Sequence, residues 1–210
     1  WMSGDNINMS IGQGDVLMTP LQLVNSYSTF ANGGTRYQPQ VVTKVTRAID
    51  ATKPPGAPGN FEVVEEIAPV ERGKVEMSPQ EWDQIFQGML GVTQSSYGTA
   101  AAAWAATPTA WPMAGKTGTA QVSKKADTAL FAGWGPAIPG VPPQYAVSVV
   151  VPEAGFGADV AAPLAFRILA PLSFGQLPPA CTLVDQAACD AAAQQAMLES
   201  SNDATTGNAG

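Results

Sequence analysis

The fold of this sequence is decided by residues 114–121, AGKTGTAQ. On an extended strand, Thr117 and Thr119 share one face beside the positive charge of Lys116. Two hydroxyls next to an ammonium group suit a carboxylate. Gly118 has no Cβ, so a ligand can approach the backbone closely. Because the unpaired N–H and C=O groups of an edge strand can bind an extended peptide, the stretch predicts an edge strand that receives an anionic peptide end.

The same residues allow two other interpretations. A phosphate-binding loop requires glycine five residues before Gly115, where Ala110 stands, followed by Trp111 and Pro112, so that interpretation is poor. An ordinary strand with a solvated lysine stays open on these residues alone, because Lys-Thr-Gly is a common triplet.

The segments after this stretch predict an antiparallel sheet. Strand patterns cover residues 111–122, 129–135 and 144–151, and a final helix is predicted over 161–172. No connection between these strands is long enough for a crossover helix, so neighbouring strands should run antiparallel. In the final helix Leu164, Ile168 and Leu169 are predicted to face inward.

Two earlier helices are marked by their caps. Thr19 begins a helix over residues 18–34 and Ser78 begins one over 78–92, each followed by proline and by Gln or Glu at the capping-box position. The second carries an apolar stripe that predicts packing against the core. The stripe consists of Trp82, Ile85, Phe86, Met89 and Leu90.

The region between these helices predicts a hairpin-like excursion. Residues 37–49 form one predicted strand, residues 53–59 a Pro/Gly-rich loop, and residues 61–70 a returning strand. A short alanine-rich helix is predicted over 98–106.

Composition excludes several classes of function. The 210 residues are 45% hydrophobic and 13% charged, with a net charge of −7. An acidic chain argues against nucleic acid as a partner. The absence of histidine excludes a Ser-His-Asp triad and argues against most zinc sites. Neither a metal nor a cofactor is expected. Cys181 and Cys189 could close a small loop or stay unpaired, and their spacing does not decide between the two.

The stretch 114–121 resembles the extended form of the Lys-Thr-Gly signature of penicillin-binding proteins and serine β-lactamases. Further blocks in the same order resemble class B penicillin-binding proteins over residues 5–170, and SIGQG resembles the elongation type most. These blocks are SIGQG (10–14), TPLQL (19–23), ANGG (31–34), SP (78–79), GM (88–89) and GTA (98–100).

The resemblance implies an α+β fold, an antiparallel sheet flanked by helices, as in the C-terminal part of the transpeptidase domain. Residues 1–175 would form this portion, incomplete at its N-terminus, and residues 176–210 a disordered tail. The implied reaction is acyl transfer from a peptidoglycan stem peptide through a serine acyl-enzyme. Lys116 and Thr119 would be catalytic, and Thr119 would act through its backbone N–H as an oxyanion donor. All four residues from Lys116 to Thr119 would bind substrate.

The two other family signatures are missing. No serine has lysine three positions later, and the one Ser-x-Asn, at residues 200–202, follows Lys116 instead of preceding it. The nucleophile, its lysine and the first strands of the sheet are therefore expected upstream of Trp1. We expect this piece alone to be inactive and to be unstable or prone to association.

The resemblance also implies partners and a location. Stem peptides and β-lactams would bind, cell-elongation membrane proteins could assemble with the enzyme, and it would act outside the cytoplasmic membrane, anchored by an N-terminal helix. The alternatives left open are a non-catalytic module that recognises peptidoglycan and, with less support, a serine β-lactamase. A serine β-lactamase would need a deacylating group, and the blocks SIGQG, TPLQL and ANGG are not part of the β-lactamase pattern.

Overall fold

The computed structural model describes residues 2–14, 16–54, 57 and 59–176. The predicted tail beyond Gln176 and both cysteines lie outside this part. The helices are α1 (Ser3–Ser10), α2 (Pro20–Ala31), α3 (Pro79–Gln94), α4 (Ala101–Ala105) and α5 (Ala161–Ser173). The strands are β1 (Thr35–Tyr37), β2 (Lys44–Ala48), β3 (Phe61–Glu66), β4 (Glu71–Lys74), β5 (Ala114–Ala120), β6 (Thr128–Gly135) and β7 (Tyr145–Val151).

A three-stranded antiparallel sheet in the order β5-β6-β7 forms the centre of the described chain. Thr117 lies opposite Phe131, and Phe131 lies opposite Val149. The connections are short turns, so successive strands pair as antiparallel neighbours. The predicted α+β class and the antiparallel arrangement are confirmed.

One face of this sheet packs against α5. Phe131 and Phe166 are completely buried there, with ring centroids 5.2 Å apart in an edge-to-face arrangement. Four buried alanines let α5 lie close to the strands, since alanine adds little side-chain bulk. These are Ala161, Ala162, Ala165 and Ala170.

The opposite face packs against α2 and α3. Trp134 of β6 is only 2% exposed and lies 5.6 Å, centroid to centroid, from Phe30 of α2. Phe86, Met89 and Leu90 of α3 pack against the same cluster. The sheet therefore carries a hydrophobic cluster on each side, which fixes its strands relative to the helices.

Both predicted helix starts are confirmed. Thr19 Oγ1 accepts from the Gln22 N–H, and Ser78 Oγ accepts from the Glu81 N–H. In each case the Gln or Glu side chain reaches back to the backbone N–H of the cap. Each box satisfies two N–H groups that a helix start otherwise leaves unpaired.

Two side chains predicted to face the core are exposed. Ile85 of α3 is 37% exposed and Ile168 of α5 is 41% exposed. Ile85 lies at the flank of a stripe whose centre is filled by the larger Trp82 and Phe86. On α5 the face toward the sheet is the alanine-rich one around Leu169, which places Ile168 on the outer side and leaves Leu164 half-buried.

The single strand predicted over residues 37–49 is wrong, because the chain forms two short strands there. β1 pairs with β4, and β2 pairs with β3, both antiparallel. Pro39 lies between β1 and β2 and lacks the N–H that a continuous ladder would use. The predicted hairpin of this region is confirmed by the β2–β3 pair.

Helix α1 was missed by the sequence patterns. It is polar and buries none of its residues, so it lacks the apolar stripe on which helix prediction depends. Among the described residues, no helix combines the length and the apolar character that crossing a membrane requires.

Candidate functional site

Strand β5 lies at an edge of the sheet, since it pairs only with β6 among the described strands. All four residues predicted to form the site, Lys116 to Thr119, lie on this strand. Their positions across the strand differ, because successive side chains point to opposite faces. Thr117 and Thr119 therefore share the face that carries α5, opposite Phe131 and Ala129, as the sequence predicts.

Lys116 is the exposed member of the group. Its Nζ donates to the carbonyl of Thr117 at 2.6 Å. None of the three ion pairs in the described part of the chain involves it. Its positive charge is therefore available to an anionic ligand at this edge.

Thr117 is buried, with 8% of its surface exposed. Its hydroxyl lies 2.8 Å from that of Thr99, in the segment between α3 and α4. In such a pair one hydroxyl donates and the other accepts. Thr117 can donate to a ligand only when Thr99 is the donor of their shared hydrogen bond.

Thr119 is half-buried and has a different partner. Its Oγ1 accepts from the N–H of Gly157, which lies in the loop before α5, at 3.4 Å. Because a hydroxyl that accepts still has its own proton, Thr119 keeps a donor for a carboxylate.

The backbone groups of Thr119 face away from the sheet. Its carbonyl accepts from Gln13 Nε2 at 3.2 Å, and the carbonyl of Thr117 accepts from Lys116. In an antiparallel pair, the N–H and C=O of one residue both face the partner or both face outward, and the two states alternate. The N–H of Thr119 therefore also faces outward, where an oxyanion could accept from it.

Gly118 lies under a close backbone contact. A Cβ built on Gly157 would lie 2.2 Å from the Gly118 carbonyl oxygen and 2.3 Å from that of Leu130. A Cβ on Gly118 itself would lie 3.3 Å from Leu130 Cβ. The lack of a side chain at Gly157 thus brings the loop before α5 directly onto β5.

Three residues that hold β5 were given no role from the sequence: Gln13, Thr99 and Gly157. The first two lie in the blocks SIGQG and GTA, whose resemblance to the family was the available signal. Gly157 lies outside those blocks, and no local pattern marks it.

A cavity of about 320 Å³ lies elsewhere, between α2, α3 and the β6–β7 connection. Phe30, Trp82, Phe86 and Trp134 contribute to its walls, and no residue of β5 does. The predicted site is thus an open strand edge, separate from this cavity. Across the described ranges, no group of three or more His, Cys, Asp or Glu side chains is placed to hold a metal ion.

Comparison with known proteins places this geometry in a family. Residues 1–170 match the penicillin binding protein transpeptidase domain. The chain is 32% identical to the peptidoglycan D,D-transpeptidase MrdA of Acinetobacter baumannii over 176 residues, 77% of this chain and 23% of that protein. It is 35% identical to penicillin-binding protein 2A of Bacillus subtilis over 158 residues, 72% of this chain and 20% of that protein.

A solved structure gives the same result. The crystal structure of Pseudomonas aeruginosa PBP2 in complex with WCK 5153 is similar with a TM-score of 0.57 and 32% identity, over 84% of this chain and 35% of that one. The chain spans between a fifth and a quarter of the length of the two curated relatives. It belongs to the penicillin-binding protein transpeptidase family, as a class B member of the elongation type.

Proposed function

We propose that the protein containing this chain is a peptidoglycan D,D-transpeptidase that works through a serine acyl-enzyme and is a target of penicillins. The observation that carries the proposal is the outer edge of β5, which pairs with no described strand and where exposed Lys116 and the outward N–H of Thr119 lie close together. The chain supplies this edge, and the nucleophilic serine comes from residues upstream.

In the proposed reaction the serine Oγ attacks the penultimate D-alanine carbonyl of a stem peptide. The carbonyl oxygen becomes an oxyanion and accepts from the N–H of Thr119. Collapse of the tetrahedral intermediate breaks the amide bond and releases D-alanine, and an amine of a neighbouring stem then takes the acyl group from the serine. One such backbone donor typically contributes about 10²–10³ in rate.

The terminal carboxylate of the substrate binds the side chains of the same strand. The Thr119 hydroxyl donates to it, since its oxygen already accepts from Gly157. Thr117 adds a second donor when Thr99 supplies the proton of their shared hydrogen bond. Lys116 contributes an attractive potential and assists proton movement near the nucleophile, while Gly118 keeps the backbone close to the ligand.

The location and partners follow from the reaction. Crosslinking takes place outside the cytoplasmic membrane, so the enzyme acts on that side, held by an N-terminal helix upstream of this chain. Stem peptides and β-lactams bind at β5, and membrane proteins of cell elongation are its proposed assembly partners.

Labelling of the full-length protein with a fluorescent penicillin tests the proposal. We expect the parent to be labelled and Lys116→Ala to be labelled at least about 10² more slowly, the lower range for loss of an acid–base group. Lys44→Ala, which changes an exposed lysine on β2, is the control and should label like the parent.

Failure of the parent to label, with the upstream serine present, would contradict the proposal. Stem-peptide binding without labelling would instead favour the non-catalytic recognition module. Rapid hydrolysis of the label would favour a β-lactamase.

A further inference from the structure

Gln13 makes a long-range contact with the proposed site. Its Nε2 donates to the carbonyl of Thr119 at 3.2 Å, across 106 residues of sequence. The Gln13 side chain is half-buried at this position, although the residues on either side of it are exposed. The contact is therefore a specific one between the α1–α2 segment and the outer edge of β5.

The turn that carries Gln13 is shaped by glycine on both sides. Gly12 has φ of 74° and Gly14 has φ of 89°, in the left-handed region that other residues rarely adopt. The N–H of Gln13 donates to the Asn8 carbonyl at 2.9 Å, and this hydrogen bond closes the C-terminal end of α1. A Cβ on Gly14 would lie 3.2 Å from Asn8 Cβ, so this turn also has little room.

The acceptor in this contact belongs to the residue whose N–H is the proposed oxyanion donor. The C=O and N–H of Thr119 both face outward and flank the same Cα, so fixing the carbonyl restricts the backbone dihedral angles that orient the N–H. On the face of the strand that carries α5, the Thr119 hydroxyl is held by Gly157. With Gln13, Thr119 is restrained from two directions.

We propose that Gln13 is a positioning residue for the transpeptidase reaction, acting through the backbone of Thr119. The inference rests on the proposed function and adds a role for Gln13 within it. Its carboxamide holds the Thr119 carbonyl and so keeps the adjacent N–H aimed at the developing oxyanion. Gln13 itself contacts neither the reacting carbonyl nor the nucleophile.

Acylation of the full-length protein by a fluorescent penicillin gives two constants: an encounter constant for formation of the non-covalent complex and a first-order constant for acylation. Together they separate a positioning role from a ligand contact or a structural contact. Gln13→Met keeps the length of the side chain and removes the donor, and Gln13→Glu replaces the donor by an acceptor that repels the carbonyl. We expect both to lower the first-order acylation constant about tenfold, less than the loss of an oxyanion donor itself. The encounter constant should stay within about twofold of the parent value.

Gln84→Met and Gln84→Glu are matched controls, because Gln84 is an exposed glutamine on α3. They should leave both constants unchanged. An unchanged acylation constant in the Gln13 variants would overturn the inference. An effect on the encounter constant alone would also overturn it, because Gln13 would then be a ligand contact. A lower melting temperature with parental kinetics would overturn it too, because Gln13 would then be a structural contact only. Absence of labelling in the parent would instead refute the proposed function itself.

Discussion

Substitution of Gly157 tests how tightly the loop before α5 controls β5. In Gly157→Ala the new Cβ would lie 2.2 Å and 2.3 Å from the carbonyl oxygens of Gly118 and Leu130. Ordinary C···O contacts are about 3.3 Å or longer, so about 1 Å of movement is needed. Both oxygens belong to the backbone of paired strands, so no flexible side chain can move aside instead.

Movement of the loop away from β5 would break the hydrogen bond from the Gly157 N–H to Thr119. Movement of the strand would displace the Thr119 N–H itself. Overpacking of this kind costs about 1–3 kcal/mol of folding free energy. A displacement of about 1 Å at a reacting centre can cost about 10² in rate. We therefore expect Gly157→Ala to melt at a lower temperature and to react with fluorescent penicillin about 10² more slowly.

The assay follows both quantities on the same full-length preparations. Gly88→Ala is the control, since Gly88 is exposed on α3 and a Cβ there would meet nothing within 4 Å. That change should leave labelling unchanged and stabilise the helix by up to about 1 kcal/mol. Labelling of Gly157→Ala at the parental rate would refute the idea that this loop sets the geometry of β5.

Two further predictions concern hydroxyls at element boundaries. Thr99→Val removes the hydrogen-bond partner of the Thr117 hydroxyl, in a pair that is part-buried. It should lower the free energy of unfolding by about 0.5–1.5 kcal/mol in denaturant titrations, whereas Thr99→Ser should stay close to the parent; equal stability of the valine variant would argue against the pair. Hydrogen bonds from Ser78 hold the pKa of Glu81 below the usual range of a glutamate. The ionised carboxylate therefore stabilises the fold at any pH above the ordinary pKa of glutamate. This contribution is lost as the pH falls through the lowered pKa of the folded state. The stability difference between the parent and Ser78→Ala should therefore shrink on acidification, and a difference independent of pH would contradict the assignment.

The sequence predicted those features of the fold that depend on local chemistry. Thr19 and Ser78 each precede proline and a Gln or Glu at the right spacing, and both begin helices through capping boxes. The central strands are antiparallel because their connections are too short for any other arrangement. The strand around Lys116 was likewise located correctly by its own residues.

Features that depend on distant packing could not be predicted in the same way. The inward face of α5 is the one whose alanines can lie close to the sheet. A prediction based on large apolar side chains therefore placed Ile168 on the wrong face. The contact of Thr99 with Thr117 joins two segments that are brought together only by the packed chain. Gly157 contacts β5 from above, and Gln13 contacts its outer edge. The residues next to Gly157 and Gln13 in the sequence do not indicate either contact.

The behaviour of the isolated piece remains a prediction. Strand β7, like β5, pairs only with β6 among the described strands, so its outer edge has free backbone groups. Leu17 and Val41 are large apolar side chains that are 91% and 101% exposed. Both observations agree with the expectation that this chain alone is prone to association.

The most direct measurement is a crystal structure of the full-length protein acylated by a penicillin. We expect the drug to lie along the outer edge of β5, with its acyl carbonyl oxygen within hydrogen-bond distance of the Thr119 N–H and its carboxylate near Lys116 and the Thr119 hydroxyl. A drug bound to a serine far from β5, or an acyl oxygen directed away from Thr119, would contradict the proposed role of this strand.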